Sequence, residues 1–302
     1  MMTTSFAHIS DLHIAPLPHV SFGQLCNKRV LGYLSWQCKR KRRHRREILE
    51  ALYADLAKQG PDYYLVNGDL TNLGLEYEFA ESINWLNRLS ADQERVLLVP
   101  GNHDAYVGES EQFIHDYWTR WFARKEHFPW AKEIGGSIVI IGVSSAVATA
   151  PFMATGRIGD NQAAALAGLL DHYGREGSTR LIMIHHPPVP GVVPARKGLD
   201  DCRALHHVVA ESGAEAILHG HAHYPSRTHL VAGPRDIPVI GAGSASLAST
   251  KAGYGAHYHM LHLEARHLSI RHRIYDPPQQ KFVAGAREEI DLRAVNMISK
   301  FS

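Results

Sequence analysis

Cysteine is scarce in this chain: Cys26, Cys38 and Cys202 are its three, an odd number lying outside the histidine and aspartate clusters. That excludes a disulfide framework and a zinc-thiolate site and leaves reduced thiols. Long apolar runs are also missing, none approaching the ~18 residues that a membrane span needs. A first strand starting by about Ser5 leaves no room for a cleavable signal peptide, so a cytoplasmic protein is expected, with peripheral attachment to the inner face of the membrane as an option. Net charge is low, +2, so bulk electrostatics do not make the molecule a polyanion binder. No internal repeat, low-complexity linker or clear boundary divides the chain, and a single domain over 1–302 is expected.

What is present is an ordinary globular balance, 45% hydrophobic and 21% charged, with two local biases. Nine Lys/Arg (Lys28, Arg29, Lys39, Arg40, Lys41, Arg42, Arg43, Arg45, Arg46) fall between positions 28 and 46 with no Asp or Glu among them, so the remainder is net acidic. Histidine is abundant, at 21, and most of it, including His206, His207, His257, His259 and His262, reads as surface or core. Ligand hypotheses are kept for histidines at strand ends.

The periodicity predicts an α/β chain. Helices are expected from about His44 to Lys58, with Ile48, Leu49, Leu52 and Leu56 on one face and Gly60-Pro61 as the stop, and from Leu75 to Leu89. Others are expected over Glu109 to Arg124, Asn161 to Tyr173 and Asp201 to Ser212, with a buried strand at Ile138 to Val143. Beyond His223 the pattern turns to strands, at Pro238 to Ala242, His257 to Leu263 and Leu268 to Ile274, which suggests two packed sheets. The stretch with Pro16 and Pro18 reads as irregular.

Five short apolar runs are each followed at once by metal-competent side chains. They lead into Asp11-Leu12-His13, Gly68-Asp69, Gly101-Asn102-His103-Asp104, His185-His186-Pro187 and His219-Gly220-His221-Ala222-His223. Ligands collect outside the carboxyl ends of strands in α/β sheets, so these ends can converge. Asp11, His13, Asp69, Asn102, His185, His221 and His223 offer carboxylate, amide and imidazole donors without thiolate. That mixed set suits two divalent cations, Mn, Fe, Zn or Co rather than Ca. Side chains two apart on a strand point the same way, so Asp11 with His13 and His221 with His223 are expected to face one site.

In this order the blocks Asp-x-His, Gly-Asp-x-x, Gly-Asn-His-Asp, His-His-Pro and Gly-His-x-His resemble the signature of the calcineurin-like metallophosphoesterases, over about two-thirds of the chain. The resemblance implies a four-layer αββα sandwich, two mixed β-sheets flanked by helices, with a binuclear metal centre in the loops at one end. Asp11, His13 and His223 would hold the first metal and Asn102, His185 and His221 the second, with Asp69 bridging. His185 is preferred to His186 as the first position of its block. The implied reaction is hydrolysis of a phosphate ester by metal-bound hydroxide, without a covalent enzyme intermediate. His103 would donate a proton to the leaving oxygen or hydrogen-bond a phosphoryl oxygen, and Asp104 would fix its tautomer.

Departures narrow the class. Gly68-Asp69-Leu70-Thr71-Asn72-Leu73-Gly74 lacks the arginine of the protein phosphatases and has Asn72 where purple acid phosphatases carry Tyr. The stretch is similar instead to bacterial cyclic-nucleotide and glycerophosphodiester phosphodiesterases, as is Gly156-Arg157-Ile158 with Gln162 and Leu166. The expected substrate is a small phosphodiester. Residues 16–46 read as a cap, in which Val30, Leu31, Tyr33, Leu34 and Trp36 precede the basic run, a combination suited to an anionic bilayer. On that alternative the substrate is a lipid diester or pyrophosphate such as UDP-diacylglucosamine. A solvated basic face is the plainer reading, and nucleic-acid binding through residues 28–46 the third.

Overall fold

The computed structural model describes residues 3–14, 16–17, 20–123, 127–232, 235–249, 251 and 253–293. Pro18 of the expected cap and Arg124 at the end of one expected helix lie outside them. In chain order the elements are β1 (Thr4–Ile9), α1 (Arg29–Ser35), a π-helical turn (Trp36–Arg40), α2 (Lys41–Arg43), α3 (Arg46–Gln59), β2 (Tyr63–Val66), α4 (Glu76–Leu89), β3 (Val96–Leu98), α5 (Gly108–Trp118), β4 (Trp130–Ile134), β5 (Ile138–Gly142), α6 (Asp160–Arg175), β6 (Thr179–Met183), α7 (Cys202–Ser212), β7 (Ala216–His219), β8 (Ser226–Ala232), β9 (Arg235–Gly241), β10 (His257–Glu264), β11 (His267–Asp276) and β12 (Lys281–Asp291).

The strands form two six-stranded mixed sheets, ordered β12-β11-β10-β1-β2-β3 and β4-β5-β6-β7-β9-β8. Strands β1, β2 and β3 run parallel in the first, and β5, β6, β7 and β9 in the second. Alternation along the inner strands builds the layers. Ile140, Leu181, Met183, Ala216 and Leu218 turn into one core with Phe6, Ile9, Leu65 and Val66 of the first sheet. Val139, Ile141, Ile182 and Ile217, one residue out of phase, turn the other way onto Leu166 and Leu170 of α6 and Leu205 and Val209 of α7. On the first sheet Ile48, Leu49, Leu52 and Leu56 of α3 are buried as their spacing requires. That helix stops at Gly60, which takes φ 56° and donates its N–H to the Leu56 carbonyl.

Three strands are additional to those expected: β4, β8 and β12. All three are sheet edges. An edge strand with a wetted face carries polar residues, as Arg227 and His229 in β8 and Arg287, Glu288 and Glu289 in β12 do, and shows no apolar run to read. The 16–46 stretch is likewise not simply irregular, since it holds α1, the π-turn and α2. Arg29 fastens it down. Its guanidinium donates to the Leu73 and Gly74 carbonyls at 3.0 and 2.6 Å and pairs with Glu109 at 2.9 Å.

Candidate metal centre

The loops after β1, β2 and β3 carry Asp11 and His13, Asp69, and Asn102; those after β6 and β7 carry His185, and His221 and His223. All seven come together at the carboxyl ends of parallel strands. Asp11, His13, Asp69, His221 and His223 have φ of 53, 41, 54, 67 and 62°, in the left-handed region that side-chain-bearing residues avoid. Each such backbone costs of order 1–3 kcal/mol and persists only where surroundings impose it. Strand alternation is therefore not what aims Asp11 with His13 or His221 with His223; both pairs lie past the strand end and are aimed by left-handed turns. The loops are pressed together. A Cβ on Gly68 would lie 2.5 Å from the Gly101 nitrogen, and one on Gly101 would overlap an Asp69 oxygen.

Two overlapping groups result. His223 Nε2 lies 3.1 Å from Asp11 Oδ1 and 3.4 Å from His13 Nε2, and His13 Nε2 lies 3.8 Å from Asp69 Oδ2. Across the same Asp69 oxygen, His185 Nε2 stands at 3.5 Å, with Asn102 Oδ1 3.3 Å and His221 Nδ1 3.2 Å from that nitrogen. Asp69 thus faces both groups. Backbone carbonyls fix the ring orientations, Thr71 taking the His13 Nδ1 proton at 3.1 Å and Asn67 that of His185 at 2.6 Å. Both rings therefore present Nε2 inward.

Asp11 Oδ1 and Asp69 Oδ2 are buried and accept no hydrogen bond among the described residues. Two unpaired buried carboxylate oxygens ringed by imidazole lone pairs are costly without cations and well suited to them. Titration behaviour agrees. Burial alone would raise the Asp11 pKa, yet neighbouring His223 holds it below the usual carboxylate range. Burial works against a charged His185, but Asp69 holds its pKa up at about 9, so that a proton stands in for positive charge. The donor set fits two divalent cations.

His103 and Asp104 take different parts from each other. The His103 Nδ1 proton goes to the Asn72 carbonyl at 2.7 Å, and its ring stands 4.9 Å from that of His13. Burial first, then the Arg40 charge, pushes its pKa well below the ordinary value. Asp104, expected to fix the His103 tautomer, is instead spent on the loops. It accepts the backbone N–H of Asp69, Gly101 and Thr71 at 2.8 to 2.9 Å, locking β2 and β3 ends together. Gln162 and Leu166 also prove structural. Gln162 bonds Ser144 and Ile158, and Leu166 is core.

Four residues of the site escape the sequence reading. His44 is buried with its ring 4.3 Å from His13, and its Nδ1 lies 2.8 Å from Ser246 Oγ. The His186 ring lies 4.5 Å from that of His221, tilted against it. Arg40 turns in from the basic run to lie 3.0 Å from His13 Nδ1 and 3.2 Å from His103 Nδ1. Lys197, on the loop after β6, is half-buried and feels the Asp69 and Asp11 charges. Only the adjacency of His186 to His185 offered a signal; the others sit in segments with no strand-end pattern.

The family model described as calcineurin-like phosphoesterase matches residues 4–225. Among curated proteins, a probable cyclic nucleotide phosphodiesterase of Synechococcus sp. is 26% identical over 226 residues, 74% of each chain. Among solved structures, a dimetal phosphatase from Danio rerio superposes with TM-score 0.64 at 12% identity, covering 93% of this chain and 98% of that one. A purple acid phosphatase from yellow lupin seeds gives TM-score 0.63 at 12% identity over 100% of this chain and 57% of its own. These two share the fold.

Proposed function

The chain belongs to the calcineurin-like phosphoesterase family and is a metal-dependent phosphoester hydrolase, and from that premise we propose that it cleaves small phosphodiesters, of cyclic-nucleotide or glycerophosphodiester type. The observation that carries this reading is the pair of orphaned carboxylate oxygens, Asp11 Oδ1 beside His223 and Asp69 Oδ2 between His13 and His185. Asp11, His13 and His223 would hold one cation, Asn102, His185 and His221 the other, with Asp69 between them. Two such cations supply Lewis-acid polarisation of phosphoryl oxygens and a water of lowered pKa.

The chain's own residues do the rest. Arg40 brings a guanidinium to the edge of the site, where its N–H groups can bind a non-bridging phosphoryl oxygen. Lys197 adds a second positive charge. His103, held by Asn72, is oriented to hydrogen-bond the substrate or to hand a proton to the leaving oxygen. The diester preference is supported by the likeness to the Synechococcus protein and by the missing phosphatase arginine.

A second reading, a lipid-linked diester or pyrophosphate taken at an anionic membrane surface, is favoured by one feature. Phe22, Val30, Leu34 and Phe152 are exposed, and so are Lys39, Lys41, Arg42 and Arg43. Lys28 bonds Thr149, tying the cap to the 146–159 loop that carries Phe152. Trp36 is buried and takes no part in that surface. No helix among the described residues is long and apolar enough to cross a membrane.

The test is a substrate panel on Mn-loaded protein: bis-p-nitrophenyl phosphate, p-nitrophenyl phosphate, cyclic AMP, glycerophosphodiesters and a nucleotide-diphosphate lipid. Diesters should turn over fastest, and chelation should abolish turnover until Mn is restored. Monoester preference would overturn the diester reading. Activity in protein shown by elemental analysis to be metal-free would overturn the centre.

A further inference from the structure

Apart from the seven side chains of the candidate centre, a second group of histidines is gathered between the sheets. His257 and His259 lie two apart on β10 and share one face, and His272 of β11 stands directly opposite His259 in the strand register. The three rings lie 4.5, 4.8 and 5.1 Å from one another, and one nitrogen from each falls within 4.8 Å of the others. His257 Nε2 is 3.0 Å from His272 Nδ1. Tetrahedral zinc, at roughly 2.0–2.1 Å from each nitrogen, spaces its ligands by about 3.3 Å.

The surroundings prepare these nitrogens. His272 donates its Nε2 proton to Glu288 Oε1 at 2.9 Å, while Arg227 pins the other carboxylate oxygen at 2.8 Å. That leaves His272 Nδ1 as the lone-pair nitrogen, in the carboxylate–histidine arrangement common behind metals. Among the described residues His259 Nε2 is buried without a hydrogen-bond partner, and its Nδ1 lies 3.4 Å from His8 Nδ1. His257 currently bonds His272; on ligation its proton shifts to Nδ1, at the expense of a long 3.4 Å contact from the Gly243 N–H. A cleft of about 140 Å³, lined by Ser226, Ile240, His259, His272 and Glu288, gives access.

We propose that His257, His259 and His272 form a three-histidine site for a borderline transition-metal dication such as zinc, distinct from the phosphoester centre. All its ligands belong to one sheet, so its task is structural: it staples β10 to β11 beneath β8. Three imidazole nitrogens without a carboxylate or carbonyl oxygen among the ligands disfavour calcium and magnesium.

The test uses cobalt as an optical probe on the full chain. An Asp11→Asn/Asp69→Asn variant, stripped of the carboxylates of the phosphoester centre, should retain Co²⁺ with the intense visible bands of a tetrahedral site. Adding His259→Gln should lower bound cobalt by one equivalent and remove those bands, with circular dichroism unchanged. His272→Gln, nearer the surface, repeats the measurement where His259→Gln fails to fold. In the chain with its phosphoester centre intact, His272→Gln should lower bound zinc by one equivalent and leave bis-p-nitrophenyl phosphate hydrolysis within about twofold. Equal metal content with and without the histidines would overturn the proposal. Loss of hydrolysis together with the zinc equivalent would overturn the separateness of the two sites. Cobalt retention is read without substrate, so its result stands whatever the phosphodiester panel shows.

Discussion

Arg40 approaches to 3.0 Å of His13 Nδ1, a nitrogen whose proton is already committed to the Thr71 carbonyl. The contact therefore does not satisfy the guanidinium. Among the described residues no carboxylate pairs with Arg40 either, so its donors remain available to an anion entering the site.

Arg40 and its neighbours in the basic run should accordingly separate in a kinetic comparison. Arg40→Gln should raise KM for bis-p-nitrophenyl phosphate by roughly 10- to 100-fold, the worth of a charge-assisted hydrogen bond of about 1.5–3 kcal/mol. Replacing Lys39, Lys41, Arg42 and Arg43 together by Gln should leave that KM within about twofold. The same quadruple variant should lose salt-sensitive sedimentation with phosphatidylglycerol vesicles if the membrane reading holds. Wild-type protein that ignores such vesicles at low salt would leave the soluble diester as substrate.

Asp69→Asn should be the most damaging ligand change, because Asp69 faces both groups, 3.8 Å from His13 Nε2 and 3.5 Å from His185 Nε2. Its loss should exceed the ~10–100-fold drop in metal affinity typical of a residue that only orients a ligand. Elemental analysis should show both cations reduced together; retention of either at wild-type affinity would remove Asp69 from the bridging position.

For His103→Ala, the leaving group decides the role. A proton donor should be missed by on the order of 10²–10⁴ in rate with a poor alkoxide leaving group and hardly at all with p-nitrophenolate. Equal losses on both substrates would assign His103 to holding a phosphoryl oxygen.

Glu78 offers a stability prediction away from the chemistry. Its buried carboxylate accepts the N–H of Asn72, Leu73 and Leu75 at 2.7 to 3.1 Å, the loop whose Asn72 carbonyl holds His103. Glu78→Ala should cost about 2–4 kcal/mol, as three buried donors lose their acceptor. Burial raises the Glu78 pKa against the pull of those N–H groups. A carboxyl raised on folding favours the fold most below its unfolded pKa, and that contribution fades as pH climbs through the folded value. Denaturant titrations should thus show the margin of wild type over Glu78→Gln shrinking as pH rises above the ordinary carboxyl value. A margin that grows with pH would reverse the assigned shift.

Most of the candidate centre was legible because its candidate ligands follow apolar runs that can only be inner strands. The alternation that sends Leu181 to one core and Ile182 to the other also announces the layered fold. Edge strands β4, β8 and β12 lack that signal, since water replaces one packing face. Arg40 was hidden for a different reason. A run of like charges has no periodicity from which to tell the one side chain that turns inward from those that stay in water. His44 was masked in the same way by the arginines around it. The role of Asp104 follows from where loop N–H groups point, which depends on contacts between β2 and β3 that no local pattern encodes.

The split of the candidate ligands between the sheets ties chemistry to assembly. Asp11, His13, Asp69 and Asn102 leave β1, β2 and β3 of one sheet, whereas His185, His221 and His223 leave β6 and β7 of the other. Each cation would be gripped from both sides of the sandwich, as a rivet is by two plates. The free energy of loading is then shared with the seam between the sheets, and saturating metal raises the melting temperature by mass action while a chelator loosens the joint itself. Variants selected for catalysis at this centre will carry altered rigidity across the whole molecule, and variants that let the sheets slide will be read first as weak metal binders.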